Sequence, residues 1–514
     1  MSARSEPGRW LWPAVVGGAA LGLVLYLGLA RDAGHIGFPL DDAWIHQTYA
    51  RNLAERGEWA FVPGQPSAGS TAPLWTLLLA LGYAFHLPFR VWTYALGGLS
   101  LVGTALLVAR LTGRLFPDQR WAPLLAGLTG ALEWHLVWAA ASGMETLLFA
   151  LLALAVWTRV VAGPPRRMFL TGLLCGALLL TRPEGITAAA WAALALLGDA
   201  VAQRRWRQGW AGVAALALGT ALTLAPYVAL NLRLSGTPWP NTFYAKQAEY
   251  AVLRLVPLPL RLWSVATVPL IGAQALLVPG LLWGLRRGWE PLRSLLGWRQ
   301  PAADSAAWSL RSLAPLAWAA TTVAIYALRL PVTYQHGRYL IPILPVVLTY
   351  GVGGTLDLLR SAHWHMLPRL LSRALLAATV VLLPIFLFLG AQAYARDVAF
   401  IEEEMVTVAQ WLNAHTPVDA RIATHDIGAI GYFTRRPLLD LAGLVNPEII
   451  PFIRDEAALL AWMRQNEADY LVTFPSWYPV LTADPGMEEV FRARAVGGGG
   501  AGDEPMVVYR LRRP

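Results

Sequence analysis

Trp10-Leu-Trp-Pro-Ala-Val-Val-Gly-Gly-Ala-Ala-Leu-Gly-Leu-Val-Leu-Tyr-Leu-Gly-Leu-Ala30 carries no charged residue. A helix over this run is about 30 Å long at 1.5 Å of rise per residue, the thickness of a bilayer's hydrocarbon core. Arg4 and Arg9 precede it, and no small-x-small cleavage site follows. It is also too long for a signal-peptide core, so it reads as an uncleaved anchor helix. Runs of this kind recur along the 514 residues and explain why 56% are hydrophobic and only 14% charged. A soluble chain carries about 25% charged residues. The one cysteine, Cys175, lies inside an apolar run. That excludes a disulfide framework and a cysteine-based metal site.

Charge supplies the topology. The net charge is +9, yet from Arg396 onward 11 arginines face 17 Asp and Glu. The positive excess therefore sits in short connections between apolar runs, which fits a membrane protein better than a nucleic-acid binder. Five connections are arginine-rich: Arg110/Arg114/Arg120, Arg159/Arg166/Arg167, Arg204/Arg205/Arg207, Arg286/Arg287/Arg293/Arg299/Arg311 and Arg360/Arg369/Arg373. The positive-inside rule places all five in the cytoplasm. Connections 31–70, 141–144, 182–185, 231–262, 330–337 and everything after about 395 then face outward. The expected spans are 10–30, 90–110, 121–140, 145–161, 168–182, 186–202, 209–230, 264–285, 312–329, 338–358 and 370–392, about eleven in all. Thr71–Leu87 fits only as a re-entrant or surface-lying helix, because a further span there would invert every later loop.

The expected fold is thus an all-α polytopic membrane domain over 1–395 with a small extracytoplasmic α/β domain over 396–514. In the tail, 399–414 reads as helix. Strands are expected at 421–424, 438–441, 470–473 and 506–511, and Gly497–Gly500 reads as a flexible loop.

Polar residues on the outer side are the functional candidates, since ionisable groups near a membrane are rare. In Phe38-Pro-Leu-Asp-Asp-Ala-Trp-Ile-His-Gln-Thr-Tyr-Ala-Arg-Asn-Leu-Ala-Glu-Arg-Gly57, Pro39 ends one segment and a helix over 41–56 runs to a glycine stop. Asp41, Thr48 and Asn52 share one face; Asp42, His46 and Tyr49 share another, about 100° away. A carboxylate there suits a general base for a hydroxyl, or a simple helix cap. Pro63–Trp75 reads as an ordered turn in which Ser70 or Thr71 caps the next helix. Glu145, in Ser-Gly-Met-Glu, either reaches a cavity or favours a helix N-terminus. Arg182, in Thr-Arg-Pro-Glu-Gly185, either binds an anionic substrate group or pairs locally with Glu184.

Lys246, in Trp239-Pro-Asn-Thr-Phe-Tyr-Ala-Lys, is the one lysine among 41 basic residues. Where arginine serves everywhere else, a lone ammonium suggests a specific need. His336 and Arg338, in Tyr334-Gln-His-Gly-Arg-Tyr-Leu-Ile-Pro342, are expected to open a helix, where two cations oppose the dipole and invite an anion. Acids beside an anion cradle at a membrane suit transfer of a group from a lipid phosphate to a hydroxyl.

The Asp-Asp-Ala-Trp-Ile…Tyr-Ala-Arg-Asn-Leu, Ala-Gly-Ser-Thr-Ala-Pro-Leu-Trp and Pro-Asn-Thr-Phe-Tyr-Ala-Lys blocks resemble the GT-C superfamily of polyprenyl-phosphate-sugar-dependent glycosyltransferases. The likeness is greatest to bacterial members similar to the mycobacterial terminal arabinofuranosyltransferase. His425–Tyr432 and Asp440–Asn446 are similar to the outer domain of such proteins. The resemblance implies a GT-C-like fold and catalytic carboxylates at Asp41 and Asp42, with Asp41 favoured as the base. It further implies donor-phosphate binding by Arg182, Lys246, His336 and Arg338. Acceptor or sugar contacts would come from His46, Tyr49, Asn52, Glu145, Asn241 and Tyr244. The implied partners are a polyprenyl-phosphate-linked sugar, a glycan, lipid or protein acceptor and the bilayer, with no nucleic acid. The implied place is the outer face of a bacterial cytoplasmic membrane. No cofactor is legible in the residues; a divalent metal stays open, because distant members bind one at acidic motifs. The competing reading is a non-enzymatic transporter or cell-envelope assembly factor.

Overall fold

The computed structural model describes residues 6–163, 167–295, 310–361, 366–495 and 504–512. The chain is mostly helical. Helix α1 (Glu6–Asp32) is followed by α2 (Asp41–Arg56), a two-stranded ribbon of β1 (Ala60–Val62) and β2 (Gln65–Pro66), and α3 (Pro73–Ala84). Next come α4 (Phe89–Leu115), α5 (Ala122–Leu132), α6 (Trp134–Ala141), α7 (Thr146–Ala162), α8 (Met168–Leu179), α9 (Ile186–Ala202) and α10 (Trp206–Ser235). Then follow α11 (Asn241–Glu249), α12 (Leu258–Thr267), α13 (Val278–Leu295), α14 (Leu310–Arg329), α15 (Leu344–Ser361) and α16 (Met366–Phe400). Among the described residues six helices are long and apolar enough to cross a bilayer, or eight if two bent pairs count as single spans. That is the build of a multi-pass membrane protein.

The expected spans map onto helices with instructive differences. The span at 121–140 is broken by 51° between α5 and α6, where Glu133 is extended and its carboxylate accepts from the Leu136 amide. The expected span 264–285 is not one helix. After α12 the chain makes short 3-10 turns at Val268–Leu270 and Ala273–Leu277, and Gly272 takes φ 138°. Pro269 removes a backbone donor and a glycine at positive φ breaks the helical path. α3 has 12 residues, about 18 Å of helix and well short of a bilayer. It lies against α2.

α16 does not stop at the end of the apolar run. A π-helical turn, Ile401–Val406, leads into α17 (Thr407–His415), so helix continues from Met366 into the tail. The tail adds β3 (Ile422–Thr424), α18 (Ile427–Thr434), β4 (Leu438–Asp440), α19 (Glu456–Gln465), β5 (Tyr470–Thr473), β6 (Met487–Arg492) and β7 (Val507–Leu511). Its sheet order is β4-β3-β5-β7-β6, with β4, β3 and β5 parallel and β7 antiparallel to both neighbours. β6 escaped the sequence reading. It is an edge strand whose exposed residues, Glu488, Glu489 and Arg492, are all charged, with no apolar alternation to reveal it. The glycine run at 497–500 lies outside the described residues.

The tail is glued to α2 by aromatics. Trp44 is fully buried, with ring centroids 4.9 Å from Tyr432, 4.8 Å from Phe433 and 5.2 Å from Phe38. Arg51 stacks over Tyr432 at 4.3 Å and donates to its carbonyl at 2.9 Å. Each such ring pair adds about 0.5–1.5 kcal/mol beyond area burial, so α2 and α18 hold together without a covalent link.

Candidate functional site

Leu40 is extended (φ −142°, ψ 136°) and α2 begins at Asp41 with no side-chain cap. Neither aspartate is therefore spent on capping, and the two carboxylates find different partners. Asp41 accepts the Gly428 amide at 2.7 Å and the Ala429 amide at 2.7 Å. These amides open α18, where negative charge is favoured. A Cβ at Gly428 would sit 2.0 Å from the Asp41 carbonyl oxygen, so only glycine permits the approach. Burial, helped by the charges of Asp426 and Asp42, pushes the Asp41 carboxyl up to about 8, against the pull of the two amides.

Asp42 turns into a cavity of about 820 Å³. Its Oδ2 accepts from Arg338 Nη2 at 2.5 Å and from Lys246 Nζ at 3.2 Å. Burial alone would raise this carboxyl; Lys246 and Arg338 outweigh it and hold Asp42 well below the usual carboxylate range. Tyr339 is the hub of the polar end. Arg182, Lys246 and Arg338 lie 4.9, 5.9 and 5.0 Å from its ring centroid. Arg182 pairs with Glu184 at 2.7 Å and Glu145 at 3.6 Å, and His46 Nε2 is 3.4 Å from Glu145. Tyr326 donates to Glu184. The rest of the wall is largely apolar, including Ile45, Met144, Phe243, Ile325 and Leu328. Arg338 is only 5% exposed, and its Nε and Nη1 make no hydrogen bond among the described residues. Buried guanidinium donors are seldom left without an acceptor.

Of the residues singled out from sequence, Asp42, His46, Glu145, Arg182, Tyr244, Lys246 and Arg338 line this cavity. The others do not. Asp41 is turned to α18. The Tyr49 hydroxyl pairs with Ser67 Oγ at 2.7 Å and accepts the Gly69 amide. Asn52 donates to the carbonyls of Ala60 and Phe61, fixing the ribbon. Asn241 donates to the Leu444 carbonyl at 3.4 Å. His336 Nε2 meets Asp397 Oδ2 at 2.7 Å, edge-on to Trp134 and Trp138.

Two local expectations are corrected. His336 and Arg338 do not open a helix: Gln335, His336 and Gly337 have φ 53°, 57° and 63°, and α15 begins only at Leu344. Pro342 and three left-handed residues keep the helix from starting earlier. Nor do Ser70 or Thr71 cap α3: Ala72 precedes it with no side-chain cap, Ser70 Oγ pairs with Thr76 and Thr71 Oγ1 with Thr242, each at 3.0 Å. Pro73 at the first helical position removes one amide that a cap would have served.

Tyr339, Tyr326 and Leu444 were missed. Tyr339 adjoins the quoted His-Gly-Arg motif, and its central place could not be read from spacing. Leu444 reaches the cavity because Asp440 accepts the amides of Ala442 at 2.8 Å and Val445 at 2.6 Å, folding the loop over Gly443 at φ 74°. No chemistry in the leucine itself announces this.

Among the described residues no group of three or more His, Cys, Asp or Glu stands ready for a metal ion. The acids lining the cavity suit one poorly, because Asp42, Glu145 and Glu184 are each held by a cation.

The fold has known counterparts. ArnT from Cupriavidus metallidurans, bound to undecaprenyl phosphate, superposes with a TM-score of 0.56 and 15% identity, covering 96% of this chain and 97% of its own. The Archaeoglobus fulgidus oligosaccharyltransferase, solved with zinc and sulfate, gives 0.57 at 14% identity over 89% of this chain and 67% of its own. The archaeal oligosaccharyltransferase AglB from the same organism, in complex with an inhibitory peptide and a dolichol-phosphate, gives 0.55 at 13% over 90% and 69%. The chain thus has the fold of GT-C glycosyltransferases. Residues 394–509 match a family described as a domain of unknown function (DUF8728). No curated protein matches the chain in sequence.

Proposed function

We propose that this protein is a membrane glycosyltransferase that moves a sugar from a polyprenyl-phosphate donor to an acceptor hydroxyl. The observation that carries the reading is one cavity with Arg182, Lys246 and Arg338 at its polar end and an apolar wall beyond. The cations suit a phosphate and the wall suits a prenyl chain. Fold counterparts hold undecaprenyl phosphate and a dolichol-phosphate, which supports the same class of ligand here.

In this mechanism Asp42 accepts the proton of the attacking hydroxyl as its oxygen bonds to the anomeric carbon. The bond from that carbon to the phosphate oxygen breaks, and its electron pair leaves with the lipid phosphate. Arg182, Lys246 and Arg338 stabilise the charge that develops there. Attack opposite the leaving phosphate inverts the anomeric centre. A carboxylate held this acidic stays ionised, and its proton affinity rises as the cations turn toward the phosphate. Asp41 holds the tail against α2, so that Leu444 closes the wall. Glu145, His46 and Tyr244 line the space left for sugar and acceptor. The charge pattern supports a cavity facing the outer side of a bacterial cytoplasmic membrane, where the donor must be lipid-borne.

The test is incubation of the purified protein with a panel of polyprenyl-phosphate sugars. Release of polyprenyl phosphate with formation of a glycoside is expected for one of them. Failure of every lipid phosphate to bind overturns the reading.

A further inference from the structure

A second cleft lies at the C-terminal end of α2, where that helix meets α18 and β4. It holds about 70 Å³ and is lined by Arg51, Arg56, Arg435 and Arg436, with Glu55 and Asn52. That exceeds the about 10–15 Å³ needed to hold one water molecule and gives room for a small oxyanion. Its lining carries four guanidiniums against one carboxylate, and among the described residues none of the four has an acid within ion-pair distance.

Helix-end carbonyls account for only part of this charge. Arg51 donates to the Tyr432 carbonyl. Arg436 donates to the carbonyls of Pro417, Thr434, Asn413 and Thr416. Arg56 and Arg435, both exposed, have no hydrogen-bond or ion-pair partner among the described residues. Arg435 also stands at the residue after α18 in the left-handed region, φ 54°. Glycine or asparagine is the usual choice there, so an arginine at this place spends conformational strain to bring a cation to the cleft. Arg51 is only 6% exposed. Burial, and then the charge of Arg435, lowers its proton affinity, against the smaller opposing charge of Glu55.

We propose that this cleft binds a phosphate group, with Arg56 and Arg435 as its adjustable donors and Arg51 as the fixed, buried charge. The site uses neither Lys246 nor Arg338 and stands apart from the reading of the larger cavity. The phosphate comes either from a soluble phosphorylated molecule or from a phosphodiester lipid headgroup, and two arms distinguish these.

In the first, thermal unfolding and direct binding are measured with inorganic phosphate against chloride at matched ionic strength, for wild type, Arg56→Gln/Arg435→Asn and Lys246→Met. Asparagine tolerates the left-handed backbone, so the double variant should fold with undiminished stability in chloride. We expect its phosphate affinity to fall at least about tenfold, as loss of charge-assisted donors implies, while Lys246→Met retains this binding. In the second arm, binding to nanodiscs of phosphatidylglycerol is compared with phosphatidylcholine. A preference for phosphatidylglycerol that vanishes in the double variant, without a free-phosphate effect, assigns the site to a lipid headgroup. If neither inorganic phosphate nor phosphatidylglycerol binding depends on Arg56 and Arg435, the proposal is overturned.

Discussion

Lys246→Met is the sharpest test of the cavity. Lys246 Nζ stands 3.2 Å from Asp42 and 3.3 Å from the Tyr339 hydroxyl. Methionine keeps the unbranched shape of the side chain, one atom shorter, and removes the charge. Asp42 is not orphaned by this change, because Arg338 still donates to the same oxygen at 2.5 Å. The folding cost is therefore expected to stay below the about 3–5 kcal/mol of leaving a buried charge without a partner. A charge-assisted contact to a phosphate contributes about 1.5–3 kcal/mol. Its loss should weaken polyprenyl-phosphate binding by about 12- to 140-fold. Binding can be followed by native mass spectrometry or calorimetry on detergent-solubilised protein, with thermal unfolding as the control for folding. Lys246→Arg should recover most of the affinity through charge, though a planar fork replaces a compact ammonium. If Lys246→Met binds the lipid phosphate as wild type does, the cation cluster is not a phosphate cradle.

Three further outcomes are expected. Gly428→Ala should cost about 1–3 kcal/mol of stability, the usual range for overpacking, because its Cβ would lie 2.0 Å from the Asp41 carbonyl oxygen; an unchanged melting temperature would remove the α2–α18 clasp. Asp41 has its carboxyl pushed up to about 8, so between that value and the ordinary one near 4 the folded state holds a proton that the unfolded state lacks. Stability should then fall as pH rises through this window. Asp41→Asn should flatten that slope, and an identical pH profile would show that Asp41 does not titrate there. Leu444→Trp should narrow the cavity and lower transfer while leaving lipid-phosphate binding intact; unaltered transfer across a range of acceptors would take the loop out of the site.

Much of the scaffold was legible because membrane spans are long, apolar and punctuated by arginine. That pattern is local, and it located most of the helices. The tail strands at 470–473 and 438–441 were also legible, because they are short apolar runs between turn residues. The break in 264–285 was not. Pro269 and Gly272 are single residues inside an apolar stretch, and their effect depends on what surrounds them. The site was half legible. Residue chemistry named Asp42, Lys246, Arg182 and Arg338, since charged groups are few in so apolar a chain. Helical spacing left Asp41 and Asp42 open, saying only that they diverge, and the resemblance favoured Asp41, which the structure turns to α18 and away from the cavity. Which one faces a cavity and which one faces α18 depends on a segment almost four hundred residues away.

By itself the sequence determined a polytopic helical chain, a small α/β tail and a short list of candidate ionisable residues. Each follows from periodicity and charge along neighbouring positions. Tertiary structure alone decided that Lys246 and Arg338 share one oxygen of Asp42, that Tyr339 stands between three cations, and that Leu444 of the tail closes the wall. These are meetings of residues distant in the chain, fixed by packing and by pairing of buried charge, and no window of sequence contains both partners.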